Sequence, residues 1–335
     1  MAERIAILGA GSWGMALARL LDAGGNSVCL WEFDNAEYRT LLKHRGNPNR
    51  LKGFQLPEAV ELTNDIFRAV TEAELLVMAT PSQHVRSVIS SAAEHLGSVR
   101  GIVNVAKGVE TRSLKRMSEV IAEETGFPYS RIATLSGPSH AEEVILDMPT
   151  TVVVASESDS FAHEAQHTFS VGSFRVYVCD DLTGVELAGS LKNIIAIATG
   201  IADGLNMGDN TKGALITRGL AEMTRLGLAM GARAETFAGL SGLGDLFTTS
   251  TSRHSRNRMV GERIGRGEKL VDIIADMIMV AEGVETTRSG QDLAQLHCVE
   301  MPITNEIYQV LFRGKPPSEA VVDLMGRKLK AEIWR

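Results

Sequence analysis

Six residues near the start of the chain, Gly9-Ala10-Gly11-Ser12-Trp13-Gly14, constrain the fold more than any other stretch. The apolar run Ile5 to Leu8 precedes them. A helical pattern through Met15, Leu17, Ala18, Leu20 and Leu21 follows and ends at Gly24-Gly25. A second apolar run, Ser27 to Trp31, closes on Glu32. Strand, glycine turn, helix, strand and acid within about 30 residues is the pattern of a dinucleotide-binding unit. Gly9 permits the tight turn, Gly11 lets backbone approach a pyrophosphate, and Gly14 lets helix pack on strand. The helix N-terminus would aim amides and the positive end of its dipole at phosphate. A carboxylate at Glu32 accepts from a ribose 2′-hydroxyl and repels a 2′-phosphate, which favours NAD over NADP. Arg39, Lys43 and Arg45, on the next helix, would soften that preference.

Strand and helix go on alternating. Apolar runs at Leu75 to Met78, Gly101 to Ala106, Ile132 to Leu135, Thr151 to Ala155 and Phe174 to Val178 read as strands. In a doubly wound sheet, ligands sit beyond the carboxyl ends of strands. Thr80-Pro81-Ser82 and Lys107 are therefore candidate site residues. Ser139, after the Gly137-Pro138 turn, is placed to cap the next helix, with Glu142 completing a capping box. Between the strands, His44 to Gln55 is a polar, basic loop.

From Asp181 onward the pattern is helical, with candidates at 181–205, 213–230, 234–240, 255–266, 283–297, 302–313 and 317–330. The change predicts a Rossmann-like doubly wound α/β domain over 1–180 and an all-helical domain over 181–335, with a cleft between them. Lys192 stands in the middle of an almost wholly apolar helix. At 100° per residue, Val185, Ala188, Gly189, Ala196 and Thr199 lie near it. That face is small and leaves room for a ligand beside the lysine; a snorkelling lysine is the plainer alternative. The stretch Leu240 to Thr249 packs two glycines and a serine before the acid Asp245, which suggests a tight backbone next to a charged ligand or partner. Arg253, Arg256 and Arg258, with polar donors between them, would make a phosphate anchor or a solvated face.

Whole-chain properties narrow the function. A length of 335 residues fits two domains at about 150 residues each. A net charge of −7, and no aromatics among the arginines, oppose nucleic-acid binding. Cys29, Cys179 and Cys298 are isolated, which fits a reducing compartment and offers no disulfide, zinc or other metal framework. The N-terminus enters a strand at once, leaving no room for a signal peptide, and no run approaches the ~20 apolar residues of a membrane span. A soluble, cytoplasmic protein is expected.

Taken together these segments resemble one family, the NAD(P)-dependent glycerol-3-phosphate dehydrogenases of the bacterial type. The blocks are GAGSWG, AKG at Ala106 to Gly108, SGPSHAEEV at Ser136 to Val144 and GVELAGSLKNIIAIATGIADGL at Gly184 to Leu205. They continue with KGALITRGLAEM at Lys212 to Met223, GLSGLGDLFTT at Gly239 to Thr249, SRN at Ser255 to Asn257 and VAEGVETT at Val280 to Thr287. Met15 departs from the threonine expected in the first block. The resemblance implies that Lys192 is the catalytic proton donor and acceptor, and that Lys107 touches cofactor and substrate. It implies substrate contacts at Gly137, Ser139, Asp245, Ser255, Arg256 and Asn257. Cofactor contacts are implied at Ser12, Trp13, Ala141, Arg256, Val280 and Glu282, beside Gly9, Gly11 and Gly14. Phe33 stands where many bacterial relatives carry a base for the 2′-phosphate, which again favours NAD.

The implied reaction is hydride transfer between NAD(P)H and dihydroxyacetone phosphate, giving sn-glycerol 3-phosphate for phospholipid synthesis, with a homodimer as the expected assembly. Another two-domain hydroxyacid or hydroxyacyl dehydrogenase would need a histidine base paired with an acid, and His140 is the one histidine at a plausible strand end. A non-catalytic NAD-sensing protein would bind the cofactor without turnover.

Overall fold

The apolar runs of the first half are short and continuous, as strands buried on both faces must be. The computed structural model describes residues 2–329 and 331–332. Eight strands form one sheet: β1 (Arg4–Leu8), β2 (Ser27–Trp31), β3 (Glu61–Thr63), β4 (Leu75–Met78), β5 (Gly101–Asn104), β6 (Ile132–Ser136), β7 (Thr150–Ser156) and β8 (Phe174–Cys179). Their order is β3-β2-β1-β4-β5-β6-β7-β8. Pairing is parallel out to β6. β7 then runs antiparallel to β6, and β8 parallel to β7. The first six strands thus have the doubly wound order, which switches direction between β1 and β4. Side chains of Ile5, Ile7, Val77 and Val103 lie in one core on one face, and those of Ala6, Leu8, Leu76 and Ile102 in another on the opposite face.

β3 was not expected, since Glu61-Leu62-Thr63 is too short to show a period. The helical half begins at Leu182, directly after β8. Its first helix, Leu182–Gly204, is the one helix among the described residues long and apolar enough to cross a membrane, and it is buried throughout by protein. The Asp181 side chain caps it, accepting from Gly184 N at 2.8 Å, and also from Arg233 N at 2.9 Å and Thr236 Oγ1 at 2.6 Å. The expected 213–230 helix starts earlier, at Gly208, and the last helix is shorter, Pro317–Met325. The end of the expected 317–330 span, Lys330, and residues 333–335 lie outside the described residues. A helix over Leu270–Asp276 was not foreseen.

Two helices of this half touch backbone to backbone. A Cβ on Gly200 would overlap the Arg258 carbonyl oxygen, and one on Gly261 would overlap that of Ile197. Gly204 and Gly265 repeat the arrangement one turn on. Only glycine allows such an approach. It brings the Leu182–Gly204 helix and the Arg256–Gly265 helix into main-chain contact at these four glycines.

Candidate active site

Lys192 does not snorkel. It is 5% exposed, and its Nζ donates to Asp245 Oδ1 at 2.5 Å and to Thr249 Oγ1 at 2.6 Å. Asp245 follows a single π turn at Leu240–Gly244, an irregularity common at functional sites. Thr249, four residues on, shares the helix face of Asp245. The other carboxylate oxygen, Oδ2, accepts from Lys107 Nζ at 2.6 Å. Lys107 leaves the end of β5, so the two halves of the chain meet at one carboxylate. Lys107 also donates to Gly137 O at 3.0 Å.

The electrostatics follow from burial and these partners. Burial pulls the Lys192 ammonium down to about 8, against the upward pull of Asp245 and with a further downward push from Lys107. Burial would raise Asp245, but the two lysines outweigh it and hold the carboxyl below its ordinary value. A lysine near 8 exists in both protonation states around neutral pH, which suits proton transfer.

The small helix face does not provide the expected room. Gly189 is packed by the Ser136 side chain and the stem of Lys107, and Ala188 and Ala196 are fully buried. The space lies on the next face round, where Lys192 and Asn193 meet a cavity of about 530 Å³. At its far end are Gly9, Gly11, Ser12 and Trp13 of the glycine turn, with Glu32 and Phe33 beyond β2. From the helical half come Asp245, Ser255, Arg256, Asn257, Val280 and Glu282. Ser139 and Ala141 close one side. Gly14 and Gly137 do not line the cavity. Gly14 packs on the Gly9 carbonyl, and the Gly137 carbonyl is a hydrogen-bond acceptor for Lys107 and Ser139.

Three expectations need correction. Ser139 is not a helix cap: its Oγ donates to Gly137 O at 3.0 Å, and the short helix Ala141–Val144 starts after His140 with no side-chain cap. The three arginines do not act together. Arg256 is at the cavity, whereas Arg258 is bound to Asp203 at 2.7 Å and Arg253 lies outside the lining. The base beside Glu32 is not one of the three on the helix after β2. Arg45 donates to the Pro57 and Val60 carbonyls, while Arg50, from the basic loop, lies 3.5 Å from Glu32 and donates to Ala10 O at 3.1 Å.

Arg50, Asn193 and Thr249 were not singled out from the sequence. Asn193 was detectable as the neighbour of Lys192, and Thr249 as the residue one turn after Asp245. Nothing local marked Arg50 among the bases of its loop. Asn257 donates to Asn193 Oδ1 at 2.9 Å and accepts from Gly283 N at 2.9 Å, so it ties three helices together at the cavity wall. Arg256 is solvent-exposed at the cavity, yet the protein packed around it lowers its guanidinium, while Glu282 and Glu142 push it up. His140 lies beside His254, ring centroids 5.8 Å apart, and burial pulls it down to about 4. Among the described residues no carboxylate is hydrogen-bonded to its ring, and Asp245, which acts on it through its field, is held by the two lysines, which removes the support for a histidine base.

A glycine-turn cleft that faces a buried lysine–carboxylate pair is the arrangement of a nucleotide-dependent oxidoreductase. The comparisons place it further. The family models described as NAD-dependent glycerol-3-phosphate dehydrogenase N-terminus and C-terminus match residues 4–162 and 181–322, and the chain belongs to that family. It is 50% identical to the glycerol-3-phosphate dehydrogenase [NAD(P)+] of Pelotomaculum thermopropionicum, over 98% of this chain and 94% of that one. With the enzyme of that name from Geobacter sulfurreducens it shares 49% identity over the full length of both. The crystal structure of a glycerol-3-phosphate dehydrogenase from Coxiella burnetii superposes with a TM-score of 0.93 at 38% identity, covering 97% of this chain and 99% of that one.

Proposed function

We propose that the chain catalyses the reversible reduction of dihydroxyacetone phosphate to sn-glycerol 3-phosphate with NADH or NADPH, for phospholipid synthesis. One observation supports this reading: buried Lys192 and Asp245, with Lys107, form a hydrogen-bonded cluster in the cavity that the glycine turn opens. The turn suits a dinucleotide. Gly11 has open space where a Cβ would stand, and Gly9 has a φ of 117°, which other residues avoid. The residues to hold it are Ser12, Trp13, Ala141, Val280 and Glu282, with Glu32 at the ribose end. When bound, the nicotinamide supplies the hydride that reaches C2 of the substrate.

The chain's own residues do the rest. In reduction, the Lys192 ammonium donates a proton to the C2 oxygen as negative charge grows there. In oxidation, uncharged Lys192 takes the hydroxyl proton. Asp245 orients Lys192 and, shared with Lys107, keeps two cations close together in a buried site. Arg256, Asn257, Ser255 and Ser139 hold the phosphate and the chain of the substrate. That binding energy, remote from C2, fixes the carbonyl in place. The division into a dinucleotide-binding unit, 1–180, and a catalytic unit, 181–335, is part of this reading.

Glu32 at the cavity, with Phe33 in place of a base, supports a preference for NAD. Arg50 offers a cation to a 2′-phosphate, so NADP is accepted as well. Initial rates with dihydroxyacetone phosphate test both statements. NADH is expected to give the higher kcat/KM, and no oxidation of either cofactor would overturn the assignment. A homodimer in the cytoplasm belongs to the same reading; light scattering and cell fractionation test it.

A further inference from the structure

Glu282 opens the Glu282–Leu296 helix, and both of its carboxylate oxygens are taken by one residue of the sheet half. Oε1 accepts from Ser82 N at 3.0 Å, and Oε2 from Ser82 Oγ at 2.5 Å. Ser82 is 1% exposed and follows β4, beside the glycine turn. Its hydroxyl also accepts from Gln83 Nε2 at 3.3 Å, an amide whose Oε1 is held by Thr111. Gly108, next to Lys107, makes the fit possible: a Cβ there would overlap the Ser82 side chain. A two-point contact of a carboxylate with one serine fixes its position in a way a single bond does not.

We propose that Ser82 is a positioning residue for cofactor binding. It holds the Glu282 carboxylate in place across the cleft, and the pair latches the helical half to the sheet half at the cofactor site. This rests on the reading that Glu282 meets the cofactor. Glu282 is also the strongest anionic influence on the Arg256 guanidinium. The other groups in the network are few. Arg256 and His84 act on Glu282, and Glu142 and Arg50 act on Arg256. Burial raises the Glu282 carboxyl, and the two Ser82 bonds oppose that rise. Loss of the hydroxyl therefore makes Glu282 easier to protonate.

NADH binding by fluorescence titration, as a function of pH, tests the latch. Ser82→Ala is expected to weaken NADH binding about tenfold at pH 7.5. It should also move the acidic limb of Kd against pH upward by about one unit. Ser82→Thr, which keeps the hydroxyl, should restore both. In a Glu282→Gln background, Ser82→Ala should add nothing. If Glu282→Gln weakens binding and Ser82→Ala changes neither Kd nor limb, the latch is overturned and the Glu282 contact stands. Independent, additive losses also overturn the latch. If Glu282→Gln leaves Kd unchanged, the contact itself falls. Should Ser82→Ala not fold, Ser82→Cys, of similar shape with a weaker donor, carries the same test.

Discussion

Lys192 and Lys107, from opposite halves of the chain, hold different oxygens of the Asp245 carboxylate, at 2.5 and 2.6 Å. Two ammonium groups on one buried anion carry one net positive charge. Burial of Lys192 makes its proton leave more readily than that of an ordinary lysine.

Lys192→Ala should leave NADH affinity nearly unchanged and lower turnover by at least ~10². The wild type should show the matching pH behaviour. Oxidation of glycerol 3-phosphate needs uncharged Lys192 and should rise as pH passes about 8. Reduction of dihydroxyacetone phosphate needs the ammonium and should fall over the same range. The apparent value belongs to the whole lysine–aspartate cluster. Profiles of kcat/KM in both directions check this, and limbs of the same sign would refute the assignment.

Arg256→Ala should raise the KM for dihydroxyacetone phosphate about 10–100-fold, the worth of a charge-assisted hydrogen bond or two. Arg258→Ala should leave that KM unaltered, because its guanidinium is bound to Asp203. Equal effects from the two variants would mean that the cluster acts as a diffuse field and not through one anchor.

Gly261→Ala forces the Leu182–Gly204 and Arg256–Gly265 helices apart, since the new methyl meets the Ile197 carbonyl. Backbone cannot yield as a side chain can, and overpacking costs about 1–3 kcal/mol. The expected result is a lower melting temperature together with a raised KM for the phosphorylated substrate and a nearly constant Kd for NADH. A loss of stability alone would show that the crossing does not set the anchor's position.

Glu222 accepts from the N–H groups of Ile303 at 2.7 Å and Thr304 at 3.2 Å, at the start of the Pro302–Arg313 helix. Burial raises its carboxyl to about 7, despite those bonds. The folded protein thus binds this proton more tightly than the unfolded chain does. Stability is fully supported below about pH 4.5 and is lost as pH rises toward 7, by roughly 3 kcal/mol over the window. Glu222→Gln should remove that slope from urea unfolding followed against pH.

The glycine turn and the strands after it could be read directly because their signals are local: Gly9 to Gly14 needs only its own neighbours to be recognised. Lys192 was marked by its contrast with an apolar helix. Its surroundings were not, because helix geometry alone cannot say which neighbour fills a small face. Here Ser136 and the stem of Lys107 fill it. Arg258 and Arg256 are two positions apart and look alike in the chain, yet a rotation of about 200° sends one to Asp203 and the other to the cavity. The value of Arg50 depends on how a loop folds back to Glu32, a long-range event with no local sign. Ser82 looked like part of a strand-end turn, and its partner lies 200 residues on.

The glycine crossing of the two helices has a consequence for how this enzyme can change. Lys192 stands on one helix and Arg256 on the other, and the spacing between them is set by main chain. The Asn193–Asn257 and Asp203–Arg258 contacts brace that ruler, but its closest approach is main chain at Gly200 and Gly261, which a pocket-wall substitution leaves in place. Drift toward a longer or shorter phosphorylated ketone would have to come from the sheet side of the cleft, around Ser139 and His140. The helical half would pass unchanged from one substrate to the next.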